Sequence, residues 1–243
     1  MKKKVKFYPF NSNPVKEGKL LPPTPSYQKI PQWFKDLALV WNRNDLRELN
    51  PFVDRGADGS NLSTKICPPF MDAFTSGYMY VLNDDLNVTL DPDGKPVISW
   101  TDGSLLIVDK RIINDLPVPI GCHPIHFGFR TYFYYETPPG YSMLITHPLN
   151  RYDLPFLTQS AVVDADEFGL PVFTPFFLKK GFIGTIKKGT PIFQMIPIKR
   201  DDWEMEVVLD DEAIQKKDYD AENRRSRLTG FYKSLYWKKK NYN

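Results

Sequence analysis

Apolar and polar residues alternate in short runs along most of the chain, and prolines or glycines close nearly every run. "VKFYPF" (residues 5–10) reads as a first strand, because its apolar positions recur with period two. Pro22, Pro23 and Pro25 then force an extended segment. "IPQWFKDLAL" follows as a short amphipathic helix, with Pro31 in its first turn and Trp33, Phe34 and Leu37 on its buried side. "NRNDLRELNPFVDRGADGSNLST" is polar and turn-rich, as expected of a surface loop. In "KICPPFMDAFTSGYMYVL", Pro68 and Pro69 open a single helical turn carrying Phe70, Met71 and Phe74. Gly77 stops that turn, and "YMYVL" continues as a strand.

"NVTLDPDGKPVISW" is a hairpin around Asp93-Gly94. "LLIVDKRII" supplies another strand, and "TYFYYETPPGYSMLITHP" two more, broken at Pro138-Pro139-Gly140. "SAVVDAD", "PVFTPFFL", "GFIGTI", "PIFQMIPI" and "EMEVVL" extend the same style. Short, evenly spaced strands with turn punctuation predict a mainly β fold. The expectation is a single sandwich- or barrel-like domain of β-clip or jelly-roll type, with a short N-terminal helix and a C-terminal helix. Residues 1–60 form an extended leader packed on the β-domain of residues 61–209, and residues 210–243 form a helical tail. No 20–50-residue period repeats, which sets solenoids and propellers aside. In the tail, Leu228, Phe231, Tyr232, Leu235 and Tyr236 fall at helical spacing, so this stripe, with Trp237, is the candidate interaction surface.

Composition agrees with the pattern. At 243 residues the chain buries a full core, and 14 % aromatics with 22 prolines against 14 glycines favour strands joined by rigid turns. The net charge of +3 is small, which argues against a dedicated nucleic-acid binder. "MKKKVKFYPF" has no apolar run behind its lysines, so neither a signal core nor a membrane span is expected there. Cys67 and Cys122 read as reduced, buried core residues.

Three constellations could carry chemistry. Asp164 and Asp166, at i and i+2, would share one face of a strand, where a carboxylate pair activates water or holds a ribose hydroxyl; as turn formers they could equally end the strand. The basic turn of Lys187 and Lys188 leads into a strand with Gln194 inside it. His123 and His126 in "GCHPIHF", with His147 further on, have ligand chemistry for zinc or iron, although Pro124 prevents the helix that would align them. Phosphate loops, nucleophile elbows and Cys-x-x-Cys pairs do not occur. No cofactor is expected.

Two resemblances add to these readings. "PPGYSMLITHP", "AVVDADEFG" and "GTIKKGTPIFQMIPI", within residues 138–197, resemble the trimeric dUTPase and dCTP-deaminase superfamily. That resemblance implies a nucleotide site in which Asp164 positions or activates water and Gln194 lies at the base. The sequence departs from it where "HPLNR" replaces the phosphate-binding arginine-serine motif, where Glu167 and Phe168 stand near the position of the sugar-stacking tyrosine, and where "RRSRLTGFYKSLYW" replaces the glycine-rich arm. Over nearly the whole chain, "IPQWFKDL", "KICPPFMDAFTSGYMYVL", "ETPPGYSMLITHPLNRYDLPF", "KKGTPIFQMIPIKRDDW" and "FYKSLYWKKKNY" resemble a family of proteins of about this length in tailed bacteriophages, notably those of marine cyanobacteria, and in scattered bacteria.

The second resemblance implies a phage setting and no particular activity. The leading expectation is therefore a non-enzymatic virion or accessory protein, located in the virion or host cytoplasm. Its partners would be other phage structural proteins or further copies of itself. A divergent nucleotide-acting protein using Asp164, Asp166 and Gln194, with Lys187 or Lys188, is the first alternative. A double-stranded β-helix oxygenase with His123, His126 and His147 as metal ligands is the second.

Overall fold

The computed structural model describes residues 3–39, 63–101, 105, 107–111, 115–225 and 232–243. The chain divides into two compact units. One comprises residues 1–29, 74–200 and 242–243, and the other residues 30–73 and 201–241.

The first unit is built of antiparallel strands, as the alternation predicts. Two of its longer strands are β9 (Tyr141–Thr146) and β14 (Pro191–Lys199). They lie inside a five-stranded sheet ordered β11-β9-β14-β3-β2, with β2 Thr24–Pro25, β3 Tyr78–Val81 and β11 Ala161–Val163. A four-stranded sheet runs β10-β12-β7-β6, from Phe156–Thr158, Phe173–Leu178, Phe127–Arg130 and Val108–Lys110. β4 (Leu86–Leu90), β5 (Pro96–Ser99) and β13 (Gly184–Ile186) make a third sheet, and β1 (Lys6–Pro9) pairs with β8 (Phe133–Glu136). The sheets enclose one apolar core without closing into a barrel, the sandwich member of the predicted pair.

Aromatic rings carry that core. Phe129 stacks on Phe176 at 3.8 Å between centroids, Phe156 meets Phe129 edge-on at 5.3 Å, and Tyr80 stacks on Phe193 at 5.0 Å. Each such ring removes a large apolar area from water, and the preferred geometries add about 1 kcal/mol per pair.

The turns fall where glycine and proline place them. Gly94 (φ +74°) turns the β4–β5 hairpin, and Gly140 (φ +79°) follows Pro138-Pro139. Gly77 (φ +68°) immediately precedes β3; a Cβ there would lie 1.9 Å from the Met195 carbonyl oxygen, so only glycine fits. The alternation did not reveal a one-turn helix, α1 (Ser12–Lys16), whose first turn is capped by Asn11 Oδ1 accepting from Asn13 N–H at 2.9 Å.

The described regular structure of the second unit is helical. α2 (Gln32–Asp36) begins after Pro31, and Phe34 stacks on Phe70 at 5.8 Å. Trp33, expected inside, is 40 % exposed, because five helical residues offer the core only one deep position and Phe34 takes it. α3 (Pro68–Thr75) is the expected proline-initiated helix, longer than one turn. Cys67 just before it is exposed rather than buried, since it precedes the helix at the surface; Cys122 is buried and free.

Two expectations about the C-terminal region change. "EMEVVL" alternates like a strand but forms none, because no partner ladder takes up its backbone. The C-terminal helix is α4 (Asp211–Arg225), capped by Asp210 Oδ1 accepting from Ala213 N–H at 2.7 Å. It is polar on its described faces, and the described members of the aromatic stripe lie outside it. Tyr232–Tyr236 instead form a π-helical turn closed by Trp237 N–H donating to Tyr232 O at 2.8 Å. Phe231 and Leu228 lie outside the described residues.

Candidate functional site

β11 ends at Val163, so Asp164 and Asp166 leave the strand and enter a turn instead of sharing a strand face. The Asp164 carbonyl accepts from Glu167 N–H at 3.1 Å and Phe168 N–H at 2.7 Å, which closes that turn. The two side chains then diverge in exposure, 64 % for Asp164 and 7 % for Asp166. Arg200, one residue past β14, holds both. Its Nη1 donates to Asp166 Oδ1 at 2.7 Å, its Nη2 bonds Asp166 Oδ2, and Nη1 stands 3.1 Å from Asp164 Oδ1. Ser142 Oγ donates to Asp164 Oδ1 at 2.6 Å, and Gly140 N–H donates to Asp166 Oδ2 at 2.8 Å.

A carboxylate held by a fork-shaped guanidinium and a backbone donor is a structural clamp. The Arg200 guanidinium holds the Asp166 carboxyl down to about 2, and the pair pushes Arg200 above its usual range. A carboxylate of that basicity is a weak proton acceptor at neutral pH, so Asp166 is poorly suited to activating water. Sequence reasoning missed Arg200; the signal was a lone arginine closing a strand opposite an Asp-x-Asp turn.

Gln194 belongs elsewhere. It is fully buried in β14, where its Oε1 accepts from Leu149 N–H at 3.0 Å and its Nε2 donates to Ser76 O at 2.6 Å. Ladder register sets Gln194 opposite Thr146 and Ile198 opposite Ser142. The Asp164 partner on β9 is thus four residues, or about 13 Å of strand, from the Gln194 partner.

The basic turn is also committed. Lys187 Nζ lies 2.8 Å from Asp85 Oδ2, and Lys188 N–H donates to Asp85 Oδ1 at 2.7 Å. The Lys187 ammonium, and then the Lys188 amide, lower the Asp85 carboxyl below its ordinary value. Lys188 Nζ reaches Gly18 O at 3.4 Å, and Gly189 (φ +82°) lets the chain turn back into β14.

The histidines do different jobs. Thr158 N–H donates to His147 Nδ1 at 3.3 Å, so the neutral ring carries its proton on Nε2 and donates it to Arg151 O at 3.0 Å. Burial lowers the His147 pKa. With both nitrogens engaged, His147 offers no lone pair to a metal. His126 is 1 % exposed and edge-on to Phe177 at 4.5 Å, with neither ring nitrogen hydrogen-bonded to a described residue. His123 is half-buried, and its N–H donates to Leu178 O at 2.8 Å. Among the described residues, no three His, Cys, Asp or Glu side chains group in a way that could hold a metal ion.

In the tail, Tyr232, Leu235 and Tyr236 are exposed. Trp237 is half-buried, and its Nε1 donates to Asp72 Oδ2 at 3.0 Å; Lys240 pairs with the same carboxylate. No described helix is long and apolar enough to cross a membrane. No family model matches the chain, and no curated protein matches it either.

Proposed function

We propose that this chain is a non-enzymatic protein of a tailed bacteriophage, a virion structural or accessory component that acts through contacts with other phage structural proteins or with itself. One observation carries the reading. The polar residues best suited to chemistry are spent on holding the fold: Asp166 on Arg200, Gln194 on Leu149 and Ser76, Lys187 on Asp85, and His147 on Thr158 and Arg151. Adhesive surface is meanwhile left uncovered. Trp203 and Met205 are each 87 % exposed, and Tyr232, Leu235 and Tyr236 add aromatic and apolar area in the tail. Exposed apolar side chains of this size supply protein-contact surface. The phage setting itself comes from the sequence resemblance.

The test is mass spectrometry of purified particles from a host expressing the complete phage gene set. Recovery of the chain at a fixed copy number per particle is the expected result. Its absence from particles, together with turnover of a nucleotide that the Asp164→Asn variant abolishes, would overturn the reading.

A further inference from the structure

The β1–β8 ribbon has two long edges with different fates. On β8, Tyr135 N–H donates to Gly169 O at 3.0 Å and Thr137 N–H to Ala165 O at 3.3 Å, so that edge is covered. In an antiparallel ladder, facing residues alternate between pairs that exchange hydrogen bonds and pairs whose groups point away. Phe10 N–H donating to Tyr132 O sets the phase, and the register runs Lys6 opposite Glu136 and Phe7 opposite Tyr135. Lys6 and Tyr8 therefore bond inward to β8, and Val5 and Phe7 direct their N–H and C=O groups outward. Among the described residues, no second strand pairs with β1. An open, regular edge of this kind is a template for strand addition.

The chain also carries a strand-like segment that enters no ladder with a described residue. Residues 201–210 hold five carboxylates and no cation. Trp203, Met205, Val207 and Leu209 alternate with acidic or exposed positions, and they are 87, 87, 67 and 81 % exposed. Residues 202–209 make no backbone hydrogen bond to a described residue.

The two patterns interlock. β1 and its approach read Lys4-Val5-Lys6-Phe7, exposed cations alternating with half-buried apolar residues. The arm reads Trp203-Glu204-Met205-Glu206. Antiparallel pairing sets Lys4 opposite Glu206, Val5 opposite Met205, Lys6 opposite Glu204, and Phe7 opposite Trp203. Charges then match on the outer face and apolar groups on the inner one, while a slip by one residue would place carboxylates on the core side. The hydrogen-bonded pairs become Val5 with Met205 and Phe7 with Trp203, where β1 has outward-pointing groups.

We infer that the acidic arm of one copy adds as a third strand to the β1 edge of a second copy, and reciprocally, so that the chain dimerises by arm exchange. Charge disfavours three other pairings. Arm-to-arm pairing would face carboxylate with carboxylate, the β11 edge runs into Asp164 and Asp166, and the β5 hairpin carries Asp91 and Asp93. The inference rests on the reading of the chain as a contact-making protein and names one of its partners.

Sedimentation velocity on the full chain over a concentration series tests it. The expected result is a dimer that dissociates on dilution and more readily at high salt. Met205→Pro removes the N–H that would bond Val5, in a segment that supports no other described structure. It should leave the circular dichroism unchanged and weaken dimerisation at least about tenfold. Lys4→Glu, at a side chain with no ion pair to a described residue, should weaken it too, and adding Glu206→Lys should restore it. A monomer at every concentration, a dimer indifferent to Met205→Pro, or no rescue by the paired reversal overturns the inference. A monomeric chain that is still recovered from particles sinks arm exchange alone. A dimer absent from particles sinks the virion reading alone.

Discussion

Gln194 and Arg200 stand on one face of the same stretch of chain, six residues apart, and each ties β14 to two neighbouring segments. Gln194 does so in full burial through a neutral amide. Arg200 does so at the surface, 36 % exposed, through charge. Only Gln194 attracts a functional reading from sequence, as a base-recognising glutamine; Arg200 attracts none, although it binds the Asp164 and Asp166 turn that does. The difference in burial separates them physically. Water cannot replace the partners of a sealed amide, so losing one leaves an unpaired polar group; at the surface, water and salt absorb much of the loss.

The largest effect is expected beside the sealed end. Gly77→Ala would drive a Cβ into the Met195 carbonyl at a positive φ that alanine resists, so the protein should fail to fold or lose at least about 4 kcal/mol in urea denaturation. Gln194→Leu comes next. It strips the partners from Leu149 N–H and Ser76 O, and the same measurement should show a loss of about 3 kcal/mol. A loss no greater than that at the surface clamp would erase the contrast.

At the clamp, the sensitive readout is pH. The folded Asp166 carboxyl, at about 2, sits below the 3.8 of an unperturbed aspartate. Its contribution is therefore complete above about pH 4 and drains away as pH falls toward 2, because the unfolded chain takes up the proton first. Asp166→Asn should flatten that part of the pH–stability curve and reduce its dependence on salt. Asp164→Asn is the smallest change expected. Its exposed side chain makes the outer, longer contact with Arg200, so the denaturation midpoint should move less than for Asp166→Asn.

What sequence made legible was local. The Asp93-Gly94 hairpin, the stop at Gly77 and the proline-initiated α3 each follow from residues whose backbone preferences decide the conformation on their own. What it missed depends on partners remote in sequence. Residues 204–209 have a strand's alternation, but strand formation requires a facing ladder that the alternation cannot supply. Asp164 and Asp166 look like a matched pair until Arg200, just past β14, and Gly140, just before β9, bind one far more tightly than the other. In the tail the aromatic spacing is helical, yet the helix forms upstream of it, where Asp210 supplies a cap and acidic residues occupy the first turn.

Arg200 is also the last residue of the β-unit before the arm begins. Tension applied to the arm enters that unit through this residue, whose N–H is bonded to Gly140 O and whose guanidinium is forked on Asp166. Behind it, β14 runs antiparallel to β9 over six paired positions, from Lys199 back to Gln194. A pull along the strand axis loads those rungs in shear, so they resist together instead of opening one after another. The clamp thus works as a mechanical stop that keeps strain on the arm from peeling the central sheet.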